Sequence, residues 1–259
     1  MKASFFVLAI PILAQQSANF YSVEKERALG QHLSSEIRRQ AKPLSVPLVD
    51  EYTKRLGGEL VAQLEETSFG YQFKVIADGA HIEPIPLPGG YILIPARFFT
   101  ASQDESEFVG MLAHAIGHVA LRHGTQARTR GQTVNMASIP LIFWGGWAGS
   151  HADAERSQLL MPTAFLKFQR IYELEADRFG LQLASRAGYD AAGLKHYIQR
   201  TDPADATREQ RLAALQETLS SLPSPAASTS SEEFRRVQQT IQSTMAAPTG
   251  RRRAPTLKR

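Results

Sequence analysis

Apolar residues recur along this chain mostly at helical spacing. Leu29, Leu33 and Ile37 fall at i, i+4 and i+8 after Ser22, and Glu24 and Glu26 suit a first turn. Lys42-Pro43 and Pro47 break that helix. A second helix is expected from Pro47 to about Thr67, carrying Val49, Tyr52, Leu56, Leu60 and Leu64. Residues 71–76 alternate like a strand, and Asp78-Gly79 marks its turn. Pro84, Pro86 and Pro88 follow, then Gly89-Gly90 and a second strand over 91–94. The prolines assign that strand to a sheet edge, where an extended peptide can add through backbone hydrogen bonds. Gly90, Tyr91, Ile92 and Leu93 are the candidate docking positions.

Ser102, with Glu105 three residues on, reads as a capping box opening a helix that ends at Arg122-His123-Gly124. Residues 139–148 are apolar but too few to span a membrane, and read as a core or lid segment. The segment 124–161 is long enough to form a lid over a site. A long helix over 162–187 stops at Gly188, and helices follow over 191–201 and 205–220. The pattern predicts an α+β fold, predominantly helical, with a small sheet whose edge strand borders the active site.

The ends differ from the middle. Met1-Lys2, an apolar run from Ala3 to Ala14 and small residues after it resemble a secretory signal peptide over 1–18. A buried N-terminal helix is the alternative. The signal reading implies export, to the periplasm or the extracytoplasmic side of a membrane. Residues 19–220 form the expected domain. Residues 221–259 are a low-complexity, partly helical tail, with one amphipathic stretch from Ser231 to Met245.

Composition narrows the chemistry. With 259 residues, 43% hydrophobic and 21% charged, the chain can bury a core without staples. It has no cysteine, which excludes disulfides, thiolate metal sites and a cysteine nucleophile. The net charge is +4, but Arg251, Arg252, Arg253, Lys258 and Arg259 sit in the last eleven residues with no acid, so the rest is −1. The basic character belongs to the tail and does not predict nucleic-acid binding. The tail reads as solvated, with a phosphate or membrane-surface contact as its alternative.

His114 and His118 are four apart in a helical segment and share a face, so both imidazoles can bind one zinc ion. Glu173 and Asp177 repeat that spacing on a later helix. Glu173 can supply the third ligand, and Asp177 can accept from the outer ring nitrogen of a histidine and fix its tautomer. One zinc ion per chain is expected. Glu175 is about 200° around from Glu173 and reads as a surface acid. His123, about 140° past His118, cannot join the same ligand face and reads as a cap or an outer partner of the site. His32, His81, His151 and His196 lack partner spacing and read as structural or surface residues.

These motifs resemble the zinc metallopeptidases of the CAAX prenyl endopeptidase, HtpX and BepA family, metallopeptidase family forty-eight. Leu87-Pro88-Gly89-Gly90-Tyr91 looks like its LPGG segment. Arg122-His123 is similar to the BepA-like branch. Tyr172-Glu173-Leu174-Glu175-Ala176-Asp177-Arg178-Phe179-Gly180 resembles its ExEADxxG helix, and Gly188-Tyr189-Asp190 its AGYD exit. Gly30-Gln31-His32-Leu33 and Tyr52…Leu56-Gly57 also fit, so the likeness covers roughly residues 20–215. It implies a gluzincin-like zinc metalloendopeptidase that cuts extended or misfolded polypeptides with an activated water.

Three departures stand out. The family reads HExxH, and Ala115 stands where its general base belongs. Alanine cannot take a proton from water or return it to an amine. The chain is then a deliberately substituted form, a natural inactive homologue, or an enzyme with its base elsewhere, for which α-helical spacing offers no candidate. Second, Thr201-Asp202-Pro203 replaces a His-Pro, with Arg211 following at a longer gap. Arg211 is a candidate oxyanion donor, or a helix-surface arginine. Third, Glu83, Pro84 and Pro86 replace an Asn-Ala-Phe-Ala-like run. Two functions follow: a zinc endopeptidase, inactive as written, or a zinc-containing protein that holds clients without cutting them.

Overall fold

The computed structural model describes residues 19, 21–41, 43–78, 81–130, 163–223 and 231–246. The expected signal segment, the 139–148 run, most of the 124–161 segment and the basic end of the tail lie outside these residues.

Helix α1, Val23–Ala41, turns Gly30, Leu33 and Ile37 inward. Pro43–Val46 leads to α2, Pro47–Val61, where Pro47 at the first helical position costs no hydrogen bond. Val49, Tyr52, Leu56 and Leu60 make its buried face. Strand β1 is Gln72–Ile76, β2 is Ile85–Leu87, and β3 is Tyr91–Pro95. A single 3₁₀ turn, Pro88–Gly90, joins β2 to β3. Gly89 takes φ 75° there, against the backbone of Arg27 in α1, which leaves no room for a Cβ.

Among the described residues the sheet has three strands in the order β1-β3-β2, with β1 parallel and β2 antiparallel to β3. This corrects the expectation that residues 91–94 form the edge. Gly90 closes the turn, and Tyr91, Ile92 and Leu93 sit on the central strand, so their backbone pairs with strands on both sides. The prolines do mark an edge, but it is the edge they occupy. Pro86 lies within β2, where a missing N–H is tolerated. Ile92, Leu93 and Ile94 are fully buried, as a central strand requires.

Helix α3, Ala96–Ala101, leads to α4, Glu105–Ala120. Asp104, not Ser102, caps α4: its carboxylate accepts from the Glu107 backbone N–H. Every residue from Glu105 to Val119 is buried, so α4 is the central rod of the fold. It ends at Leu121, and Arg122 takes the left-handed φ of 58° in place of the expected glycine. Left-handed backbone costs a non-glycine residue roughly 1–2 kcal/mol. Arg122 offsets it with charge-assisted contacts to buried Glu26, Nε at 2.8 Å and Nη2 at 2.7 Å.

The chain turns at once into α5, His123–Arg130. Then α6, Thr163–Arg186, and α7, Ala192–Thr201, pack against α4. Helix α8, Ala206–Ser221, lies over α6 and α7. Last is α9, Glu232–Ala246. Phe234, Val237 and Ile241 of α9 are fully buried in the same core as α2 and α4. Residues 231–246 therefore belong to the folded domain, which extends past the expected limit at 220. Among the described residues no helix is long and apolar enough to cross a membrane.

Candidate metal centre

Helices α4 and α6 cross closely where Gly180 meets His114. A Cβ on Gly180 would lie 2.8 Å from the His114 backbone nitrogen. That approach brings the i, i+4 pair of one helix against the i, i+4 pair of the other. His114 Nε2 lies 3.0 Å from His118 Nε2, and the Glu173 oxygens lie 3.5 Å from each. All three residues are enclosed, and one donor atom from each falls within 4.8 Å of the others.

Proton positions follow from the neighbours. His114 Nδ1 lies 2.9 Å from Asp177 Oδ1, close but off the ideal hydrogen-bond direction. Burial pushes the Asp177 carboxyl up, but Arg211 overcomes this and holds it at about 2. An ionised carboxylate favours the proton on Nδ1 of His114, which leaves Nε2 bare. His118 Nδ1 lies 3.1 Å from His123 Nδ1, and His123 Nε2 lies 3.1 Å from Glu175 Oε2. Glu175 accepts from His123 Nε2, so His123 Nδ1 accepts from His118, whose Nε2 is bare too. Burial, then His114 and His123, hold His118 well below the usual imidazole range, in its neutral form. Burial raises the Glu173 carboxyl, opposed by Arg211 and His114.

Two imidazole nitrogens and a carboxylate thus converge in one enclosed space. A cation at their centre would take a lone pair from each. Ligand bonds of about 2.0–2.1 Å at tetrahedral angles put donor atoms about 3.3–3.5 Å apart, close to the separations here. Neutral imidazoles and a carboxylate are a donor set that suits zinc. His114, His118 and Glu173 fit the metal that the sequence implies.

Arg211 does something other than face outward. Its Nε and Nη2 each donate at 2.8 Å to Asp177, and Nη1 donates at 2.8 Å to Asp202. Nη2 also lies 3.5 Å from Glu173 Oε2. Its fork is committed to these acids, which hold it in place and raise its pKa well above the usual value despite burial. The guanidinium anchors the acids that hold the histidines. Asp202 caps the C-terminus of α7 and aims Arg211. Ala115 is buried between the two histidines.

Two other residues belong here. Glu175, read as a surface acid, keeps 52% of its side chain exposed yet turns its carboxylate onto fully buried His123. Its position around α6 gave no sign of this, because α5 brings His123 round to meet it. Glu83 lies just before β2. Burial and the Asp202 carboxylate push its pKa up to about 8, against the pull of Arg211, and Glu173 and Asp177 push the same way. It stands in the field of the whole cluster. In the sequence it was visible only as a departure from a pattern.

The model of Peptidase family M48 matches residues 47–227. That span takes in α2, the sheet, both histidines, Glu173, Asp177 and Arg211.

The chain belongs to Peptidase family M48.

Its M48 relatives include the beta-barrel assembly-enhancing proteases of Yersinia pestis and Escherichia coli. Each is 26% identical, over 205 and 202 residues, covering 74% of this chain and 40% of the relative. The mitochondrial metalloendopeptidase OMA1 of Schizosaccharomyces pombe is 25% identical over 214 residues, covering 79% of this chain and 60% of that protein. This chain therefore spans about 40% of the length of the beta-barrel assembly-enhancing proteases it matches. The M48 family and these relatives support a metalloprotease role.

Proposed function

We propose that this chain carries a one-zinc site of the metalloendopeptidase class that takes an extended or misfolded polypeptide. The observation that carries the reading is the convergence of one donor atom each from His114, His118 and Glu173 within 4.8 Å. A bound zinc would polarise a peptide carbonyl and a water. The chain's own residues supply the rest. Asp177, held by Arg211, orients His114, and His123, held by Glu175, orients His118. Edge strand β2 borders the centre: Pro86, Leu87 and Pro88 line a small cavity together with His118, Val119 and Arg122. No other strand pairs with the outer side of β2 among the described residues, which makes β2 the candidate edge for a peptide backbone once the cover over its buried residues moves aside.

Export to the periplasm or the extracytoplasmic side fits the apolar N-terminal run. It also fits the likeness to beta-barrel assembly-enhancing proteases.

Ala115 favours a second reading, in which the site binds clients and does not cut them. Zinc content and cleavage of unfolded casein, measured on this chain and on Ala115→Glu, test both. Zinc at one per chain with casein cleaved by either form supports the endopeptidase. Zinc bound, casein held and no cleavage by either form supports the binder. A chain that takes up no zinc overturns both.

A further inference from the structure

We propose that the outer edge of β1 is a second polypeptide site, a slot that takes an acidic segment as an added strand. It lies on the opposite edge of the sheet from β2 and needs no metal.

That edge of β1 is covered only at one end. Leu44, in the connection between α1 and α2, donates its N–H to the Val75 carbonyl at 3.1 Å, and Pro43 bridges Ile76. The connection then leaves for α2, so the antiparallel pairing stops there. Alternate residues of a strand send their backbone groups to the same side. Phe73, two residues before Val75, therefore turns its N–H and C=O outward, and no described backbone group pairs with them on that side. An added strand would continue the line that Pro43 and Leu44 begin. Gln72 and Lys74 are exposed, so this edge is open as it stands, whereas every residue of β2 is buried.

The open stretch lines a cavity of about 440 Å³, a size usual for a ligand site. Its walls come from both layers that flank the sheet. The Phe73 ring lies against α2, 2.4 Å from where a Cβ on Gly57 would fall, and Tyr71 stacks on it with centroids 6.4 Å apart. These rings and Lys54 of α2 form one wall. Lys74 alternates to the other face, shared with Ile76, which packs with Leu33 and Ile37 of α1. Arg38 of α1 completes that wall. An added strand thus meets aromatic rings on one side and two cations on the other, which suits apolar and acidic residues in alternation.

Charge decides which strand enters. Arg38, Lys54 and Lys74 stand against one acid, Asp50, which already accepts from the Ser45 hydroxyl at 3.1 Å. Arg38 Nε is buried with no hydrogen-bond partner, a donor that an incoming carboxylate would satisfy. Edge lysines repel chance strand pairing. Here they also select an acidic strand over a neutral or basic one.

The test titrates the full chain at low salt with an end-blocked hexapeptide of alternating valine and glutamate, followed by calorimetry. A second peptide carries glutamine for glutamate, and a third carries proline for valine. The glutamine peptide is expected to bind about tenfold more weakly, and the proline peptide not to bind. Lys54→Gln combined with Lys74→Gln should weaken the glutamate peptide about fivefold and leave the glutamine peptide unchanged, at an unchanged thermal midpoint. Bound glutamate peptide should slow amide hydrogen exchange over residues 72–75, with or without a chelator. Equal affinity for the glutamate and glutamine peptides would overturn the acidic preference, and full affinity for the proline peptide would overturn strand addition. Slowed exchange at residues 85–87 instead, or binding lost with chelator, would move the peptide to the metal centre and end the proposal. Displacement by inorganic phosphate without any change in exchange at 72–75 would reduce the slot to a small-anion site and end it too.

Discussion

His123 Nδ1 lies 3.1 Å from His118 Nδ1, and the two rings meet edge to face at 5.1 Å. This contact ties a residue outside the ligand set to one inside it. Glu175 at the far end sets the direction of both protons. His123 is also packed on Tyr172, with ring centroids 4.6 Å apart. His123→Phe keeps the packing and removes both nitrogens. Its zinc affinity, measured by chelator competition, is expected to fall about 10–100-fold. Its thermal midpoint without metal should move little. Glu175→Gln should lose less, because an amide oxygen still accepts from His123. Equal zinc affinity in wild type and His123→Phe would show that the contact does not position His118.

Arg211 neutralises Asp177 and Asp202 and faces Glu173, all inside the fold. Its removal leaves buried carboxylates facing one another. Arg211→Met keeps most of the volume and is expected to cost about 3–5 kcal/mol of unfolding free energy, the usual price of breaking a buried pair. Arg211→Lys should recover only part, because an ammonium cannot match the two parallel bonds to Asp177. Urea unfolding of the three forms checks the order: wild type, then lysine, then methionine.

Much of this site was legible because helical spacing is a local property. His114 with His118, and Glu173 with Asp177, each follow from four residues of one helix. The long helices were legible for the same reason. What spacing could not show was which strand takes the edge. That depends on β1 pairing in parallel with β3, which follows β2 in the chain, and so leaving β2 on the outside, a long-range choice. The prolines pointed at the right corner of the sheet and the wrong strand. Glu83, His123 and Glu175 were hidden similarly, because each meets its partners across elements. The start of α4 was misread by two residues because Ser102 and Asp104 are both good caps, and only the exit of α3 decides between them.

Helix α9 tests where the domain ends. Phe234 is fully buried, with ring centroids 5.3 Å from Phe108 on α4 and 6.0 Å from Tyr52 on α2. Gln238 donates to the Phe99 and Ser102 carbonyls, which closes the α3–α4 corner. Phe234→Ala is expected to cost about 3–5 kcal/mol, as core phenylalanine truncations do. A detached tail would lose almost nothing. Chemical denaturation of the two forms distinguishes them, and limited proteolysis should find residues 232–246 protected in the wild type.

The pH dependence of stability isolates Asp177. Arg211 holds its folded pKa at about 2, below the ordinary value near 3.8. The unfolded chain therefore takes up this proton first as pH falls. The stabilisation is complete above about pH 5 and is lost between about pH 4 and pH 2. A shift of this size corresponds to roughly 2–3 kcal/mol. His118 has the same sign at higher pH: burial lowers its folded pKa, so stability begins to fall below its ordinary value of 6.5. Asp177→Asn lacks the carboxylate and keeps His118. Urea midpoints in a chelating buffer, from pH 7 to pH 2.5, are expected to fall in both proteins below about pH 6.5. The two curves should converge below about pH 4, because protonation removes from the wild type what the substitution removed already. Parallel curves down to pH 2.5 would mean that Asp177 carries no special stabilisation through Arg211.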